Sequence, residues 1–330
     1  MDIFLTFDYE LFFGKVSGSV DKCMIEPTEA LLAMAAKQNI HLTFFWDIGH
    51  YIALQRFGDV YPSLKVDQSK IEKQLKNALD LGHAIELHIH PHWEKALYIN
   101  GAWQMNLEQH YKMSDFNEEE RKSIFSRYHA ALAEFTGKKS YAFRAGGWCI
   151  QPFAHFRSLF NEHGIRYDSS TMPGVKWISE QYQLDFTELK TSEPFRFSTD
   201  ECKEDKQGEF MEYPIASNHY SPLFFWKLYV LGRLFPSQHK MWGDGNFVAQ
   251  PGGKRESLTK GKMHHASSDG FFASELQTIL KNKSKNKDNT LVVIGHPKSS
   301  TKYALRKLNA FVAQNKTNHR FLTFEDLPCD

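Results

Sequence analysis

The stretch HAIELHIHPHW, residues 83 to 93, places His83, His88, His90 and His92 within ten positions. Imidazole is costly to bury without a partner and is a common ligand for zinc-like metals, so this density points to a metal centre. Three other polar groups punctuate the chain in the same manner: the acids of LTFDYE, the arginine of YAFRAGG and the histidine of VVIGHP. Each stands where a β-branched or aromatic run stops. Polar groups scattered along the sequence but placed at strand ends imply one shared site.

Those runs recur with helix-period segments between them. IFLTFD (3–8), HLTFFW (41–46), AIELHIH (84–90), YAFRAG (141–146), IRYDSS (165–170), FMEYPIA (210–216), TLVVIGH (290–296) and RFLTF (320–324) read as strands. PTEALLAMAAKQ, SKIEKQLKNALDLG and NEEERKSIFSRYHAALAEFTG read as helices, with Pro27 near a start and Gly82 and Gly137 just past ends. Repeated β-then-α units predict an α/β fold, a distorted (β/α) barrel of seven or eight parallel strands. An open doubly wound sheet is the alternative, but no Gly-rich fingerprint follows the first strand, and barrel enzymes gather catalytic groups at several strand ends. Residues 1–330 read as one domain with an irregular insertion over about 172–268. Within it WGDGNFVAQPGGKRESLTKGK (242–262) reads as a long loop, either a solvated insertion or a lid over the substrate. PLFFWKLYVLGRLFP (222–236) reads as an apolar aromatic helix packed on the barrel, with peripheral membrane contact as the rival reading.

Composition narrows the partners. A formal net charge of +1 gives no electrostatic reason to expect nucleic acid. Cys23, Cys149, Cys202 and Cys329 are widely spaced and form no CxxC pair, as expected of reduced thiols. No apolar run approaches the ~20 residues of a transmembrane helix. The amino terminus enters a strand without a basic leader region, so a cytoplasmic protein is expected.

His88 and His92 are four apart at a strand end, where a helical turn would bring both rings to one metal. His83 and His90 are expected to be structural, with His90 facing away from His88. Asp8 and Glu10, two apart in an extended apolar segment, project the same way and need a compensating cation. One could ligate the metal and the other take a proton from water. Arg144 at the end of YAFRAGG is suited to clamping a carboxylate. Gly146 and Gly147 allow close backbone approach. His296, ahead of Pro297, is a candidate general acid for a leaving amine.

In order and separation, TFDYE, TFFWDIG, GHAIELHIHPHW, FRAGG and IGHP resemble the motif series of the polysaccharide deacetylase family, which includes chitin, peptidoglycan and nodulation-factor deacetylases. The resemblance runs from Phe4 to about Leu327 and is weakest in the insertion. It implies a distorted barrel, a divalent metal (zinc above others) and hydrolysis of an N-acetyl group on an amino sugar. Carried over by motif, Asp8 is the catalytic base, His88 and His92 are metal ligands, Arg144 orients the base and His296 is the general acid. The backbone at Gly147 would stabilise the oxyanion. The chain departs from the pattern where a second acid usually follows the first: Tyr9 stands there, and Glu10 becomes the third metal ligand, with Asp8 as the alternative. Trp148 and Trp93 are expected to wall a sugar pocket. The implied substrate is an N-acetylated saccharide, such as an intracellular precursor of a surface polysaccharide. Rival functions are hydrolysis of a non-sugar amide and non-catalytic glycan binding with the metal site lost.

Overall fold

Asp2–Tyr9 forms the first strand, β1, and is buried along almost its whole length. An unbroken apolar run of this kind suits a parallel strand covered on both faces. The computed structural model describes residues 1–179, 181–248 and 253–328. The other strands of the main sheet are β2 (Thr43–Asp47), β3 (Ala84–Ile89), β4 (Ala142–Ala145), β5 (Tyr167–Asp168), β6 (Phe195–Phe197), β7 (Phe210–Glu212), β8 (Thr290–Gly295) and β9 (Arg320–Leu322). Their spatial order is β6-β7-β5-β4-β3-β2-β1-β8, with β9 also on β1. All pairings are parallel except that of β6 with β7.

The sheet curls back on itself. Just beyond β7, Ile215 bridges Val292 of β8, and Ser267 bridges Ile294, both in parallel sense. The Ala216 N–H donates to Val292 O at 3.0 Å and the Ser268 N–H to Ile294 O at 2.8 Å. Apart from the antiparallel β6 and the short flanking β9, the wall is therefore a distorted barrel of parallel strands, as expected from the sequence.

The helices of ten residues or more are α1 (Glu26–Gln38), α2 (Ile48–Gly58), α3 (Pro62–Asp80), α4 (Glu118–Thr136), α5 (Pro222–Leu234), α6 (Leu276–Lys285) and α7 (Lys302–Asn315). Local chemistry sets their ends. Asn117 and Glu120 form a reciprocal capping box at the start of α4, and Gly137 closes it in the left-handed conformation. The α2 segment IGHYIALQRFG escaped the sequence reading because its inner turns are buried with no side-chain cap and little polar periodicity.

The stretch read as an insertion supplies β6 and β7 to the main sheet and adds two hairpins, Lys176–Ile178 with Gln183–Asp185 and Ser217–Tyr220 with Lys262–His265, together with α5. The predicted 242–262 loop contains a short helix, Gly253–Thr259, and its residues 249–252 lie outside the described ones. Trp46 is fully buried in the core against Tyr51 and Phe135.

Candidate metal centre and active site

The first strand carries Asp8 and Glu10 to the carboxyl end of the barrel, where β3, β4 and β8 deliver His88, Arg144 and His296. Glu10 divides its two oxygens. Oε2 stands 3.1 Å from Nε2 of His88 and 2.8 Å from Nε2 of His90. Oε1 accepts from the Lys298 ammonium at 2.7 Å. All four side chains are at most 5 % exposed. Burial opposes ionisation of Glu10, but Lys298 and the two imidazoles outweigh it and hold its carboxyl well below the usual range.

Asp8 is fixed by Arg144. The guanidinium donates to Asp8 Oδ1 at 2.7 Å, to Thr6 Oγ1 at 3.0 Å and to the carbonyl and hydroxyl of Ser169 at 2.8 and 3.0 Å. It also stacks 4.1 Å over the Phe45 ring. A buried arginine so fully engaged cannot swing away, so Asp8 presents its free Oδ2 in one direction. That oxygen faces His88 Nε2 at 3.8 Å and His296 Nε2 at 3.7 Å. Behind His296, Asp269 accepts from the backbone N–H at 2.7 Å and lies 2.8 Å from ring Nδ1. Burial pulls the His296 pKa down, but Asp269, Asp8 and Glu10 together raise it.

The residues fit a metal. The Nδ1–H of His88 donates to the Arg144 carbonyl at 2.8 Å, which orients the ring and turns Nε2 toward Glu10. His90 has both ring nitrogens buried and neither in a hydrogen bond; its approach to Glu10 is close but not aligned as one. Donor atoms of Glu10, His88 and His90 all lie within 4.8 Å of one another, the only such buried histidine group among the described residues. Orphaned nitrogens and a carboxylate converging on one point are the donor set of a borderline cation such as zinc.

His92 is not brought to this group. It lies fully buried in the turn Pro91–Lys95, stacked parallel on Tyr111 and edge-on to Phe13, and burial with His90 nearby holds it neutral. The geometry corrects the expected pairing. The backbone stays extended through His90 (φ −105°, ψ 100°), so His88 and His90, two apart, share a face. His83 is structural, its Nδ1 accepting from the Leu42 N–H at 2.9 Å.

A cavity of about 680 Å3 opens over these groups, with Gly147, Trp148, Trp177, Tyr111, Tyr182 and His265 among its lining. Gly147 sits at φ +58°, where an added Cβ would meet the Tyr111 hydroxyl at 2.5 Å. Trp148 follows at φ +59°, a conformation that costs a bulky residue roughly 1–3 kcal/mol and is typical of functional sites. Its ring lies 6.1 Å from that of His296 and 5.2 Å from that of Trp177. Trp93, expected beside it, is instead buried with its indole N–H donating to Asp47 at 2.5 Å, and it does not line the cavity.

Over 98% of this chain and 87% of the other, the structure is similar to a provisionally assigned polysaccharide deacetylase from Mycobacterium smegmatis, with a TM-score of 0.53 and 15% identity. The likeness is one of fold, a distorted (β/α) barrel. Puue allantoinase is similar at a TM-score of 0.52 and 12% identity, over 98% of this chain and 88% of that one. The 4-alpha-glucanotransferase of Thermococcus litoralis gives 0.51 and 11% over 99% of this chain but 40% of its own. No protein-family model and no curated protein sequence matches the chain. One fold thus carries three chemistries, and function must be argued from the site.

Sequence reasoning missed Lys298 and Asp269. Lys298 lies two residues beyond His296 in IGHPK, a proximity that could have drawn attention to it. Asp269 sits at the end of the insertion and meets His296 only through the fold.

Proposed function

We propose that this protein is a metal-dependent hydrolase that removes an N-acetyl group from an amino sugar in a glycan or glycan precursor. The observation that carries the reading is the pairing, within one cavity, of an arginine-clamped carboxylate with a carboxylate-backed histidine, beside a buried Glu-His-His donor set. Glu10, His88 and His90 would hold the metal, with His90 taking the place expected of His92. A bound divalent metal supplies Lewis-acid polarisation of the acetyl carbonyl and lowers the pKa of water.

The chain's own groups do the rest. Asp8, aimed by Arg144, accepts the proton of the attacking water at Oδ2. His296, its positive form favoured by Asp269, gives a proton from Nε2 to the departing amine. Gly147 leaves the backbone room to approach the acetyl group, and Trp148 offers a ring face to the sugar. Three described cysteines, Cys23, Cys149 and Cys202, are free thiols, which supports a reducing compartment such as the cytoplasm.

The test is acetate release from N-acetylhexosamine oligosaccharides by protein reconstituted with zinc or cobalt. Turnover that a chelator abolishes and metal restores is expected. Failure on every N-acetylated saccharide, with metal bound, would refute the reading. The similarity to an allantoinase at a nearly equal TM-score supports a second reading, hydrolysis of a cyclic or linear non-sugar amide. A ureide panel run in parallel separates the two.

A further inference from the structure

Helix α5 has three faces with different company. Phe224 and Phe225 are buried against Tyr220 and Phe272. Leu228, Tyr229 and Gly232 line the cavity. The third face carries Leu223, Trp226, Val230 and Leu234, exposed to 62, 53, 45 and 66 %. Steps of three, four and four residues set these on one stripe, the pattern that ordinarily meets a core. Phe235 continues it at 52 % exposed. A contiguous exposed apolar stripe of this kind marks an interaction surface.

Charge says what covers it. Lys227 and Arg233 flank the stripe, and Lys254 and Arg255 share with Trp226 a surface groove of about 540 Å3. Residues 222–262 hold seven Lys and Arg (227, 233, 240, 254, 255, 260, 262) against two acids, Asp244 and Glu256, a balance of +5 in a chain whose total is +1. A second copy docking through the same face would set these cations against themselves. An anionic lipid surface satisfies both the apolar stripe and its basic border. No helix among the described residues is long and apolar enough to cross a membrane, so the helix would lie in the interface plane.

We propose that the outer face of α5 docks on an anionic membrane surface and so holds the cavity mouth toward a lipid-carried saccharide, the second half of which rests on the deacetylase reading above. The same helix that touches lipid also forms the cavity wall. Docking would thus seat on lipid the outer side of a helix whose inner side walls the cavity that holds Trp148 and His296.

The experiment uses the full chain with large unilamellar vesicles of phosphatidylcholine, with or without 30% phosphatidylglycerol. Sedimentation should show binding to the anionic vesicles about tenfold or more above that to phosphatidylcholine alone, weakening in high salt. The double variant Leu223→Gln, Val230→Gln changes two exposed side chains outside the cavity. It should keep the circular dichroism spectrum and soluble-substrate turnover while losing at least about tenfold in vesicle binding. Equal binding to both vesicle types, no binding, or unchanged binding by the double variant would overturn the proposal. So would self-association of the wild type without vesicles that the double variant abolishes. Vesicle binding without acetate release from any saccharide would sink the deacetylase reading and leave the docking surface standing; acetate release without vesicle binding does the reverse.

Discussion

Two pairs of buried carboxylates lie on either side of Arg144 and differ in the partners they are given. Asp8 and Glu10 at the barrel mouth are 2 and 5 % exposed, and Asp168 and Glu212 on β5 and β7 are wholly buried. At the mouth each acid receives a cation, Arg144 for Asp8 and Lys298 for Glu10. Arg144 turns only toward Ser169 on its other side, so Asp168 and Glu212 have hydroxyl, amide and each other as partners. Burial therefore raises the Asp168 pKa to about 6, and burial with Asp168 beside it raises that of Glu212 well above the usual range. One proton shared between them satisfies oxygens, Asp168 Oδ2 and Glu212 Oε2, that otherwise lack a partner. The difference is one of company: a cation stands beside each acid at the mouth, whereas the two acids behind Arg144 have a proton to share.

The contrast can be broken most forcefully at Asp8. Asp8→Asn keeps shape but cannot accept a proton, so kcat should fall about a thousandfold with the melting temperature little changed; a loss below tenfold would place the base elsewhere. Lys298→Met leaves Glu10 buried with an uncompensated oxygen and should destabilise metal-free protein by about 3 kcal/mol in urea unfolding. Saturating metal should recover much of that loss, because it supplies the missing positive charge. His90→Ala should weaken zinc binding by more than about a hundredfold in a competition titration, beyond the loss expected for a residue that merely orients a ligand. His92→Ala should stay within threefold, and the reverse order would restore the spacing-based pairing. At the Asp168–Glu212 pair the effect is smaller and has a sign. The folded protein holds a proton that the unfolded chain releases near pH 4, so this contribution is full below that pH and is lost as pH rises through 6. Wild-type stability should drop by about 2 kcal/mol across that window. Asp168→Asn, which cannot ionise, should flatten the dependence.

The strands of the wall were legible because burial on both faces writes itself as Val, Ile and Phe runs, as in LVVIG before His296. Asp8, Glu10, Arg144 and His296 were legible because each ends such a run. The two histidines were harder. Spacing by four presumes a helical turn at the strand end, whereas the chain remains extended one residue longer and spacing by two prevails. Asp269 left no local mark, and Lys298 only its nearness to His296, since a side chain's partner across the barrel depends on closure and not on its sequence neighbours. Trp93 was misjudged for a related reason: an aromatic beside histidines reads as a wall, but its indole was claimed by Asp47.

The two stretches that flank the excursion from Ser217 to His265 both stitch onto β8, the strand that ends in His296. Between those roots the excursion is tied to the barrel mouth as well: the Gly14 N–H donates to Asn246 O at 2.8 Å, and the Trp242 and Gly243 N–H groups donate to Ser300 O and Lys298 O at 3.0 Å each. A change of length there would have to keep both the seam on β8 and these ties, which bind the appendage to the same mouth that it helps to wall.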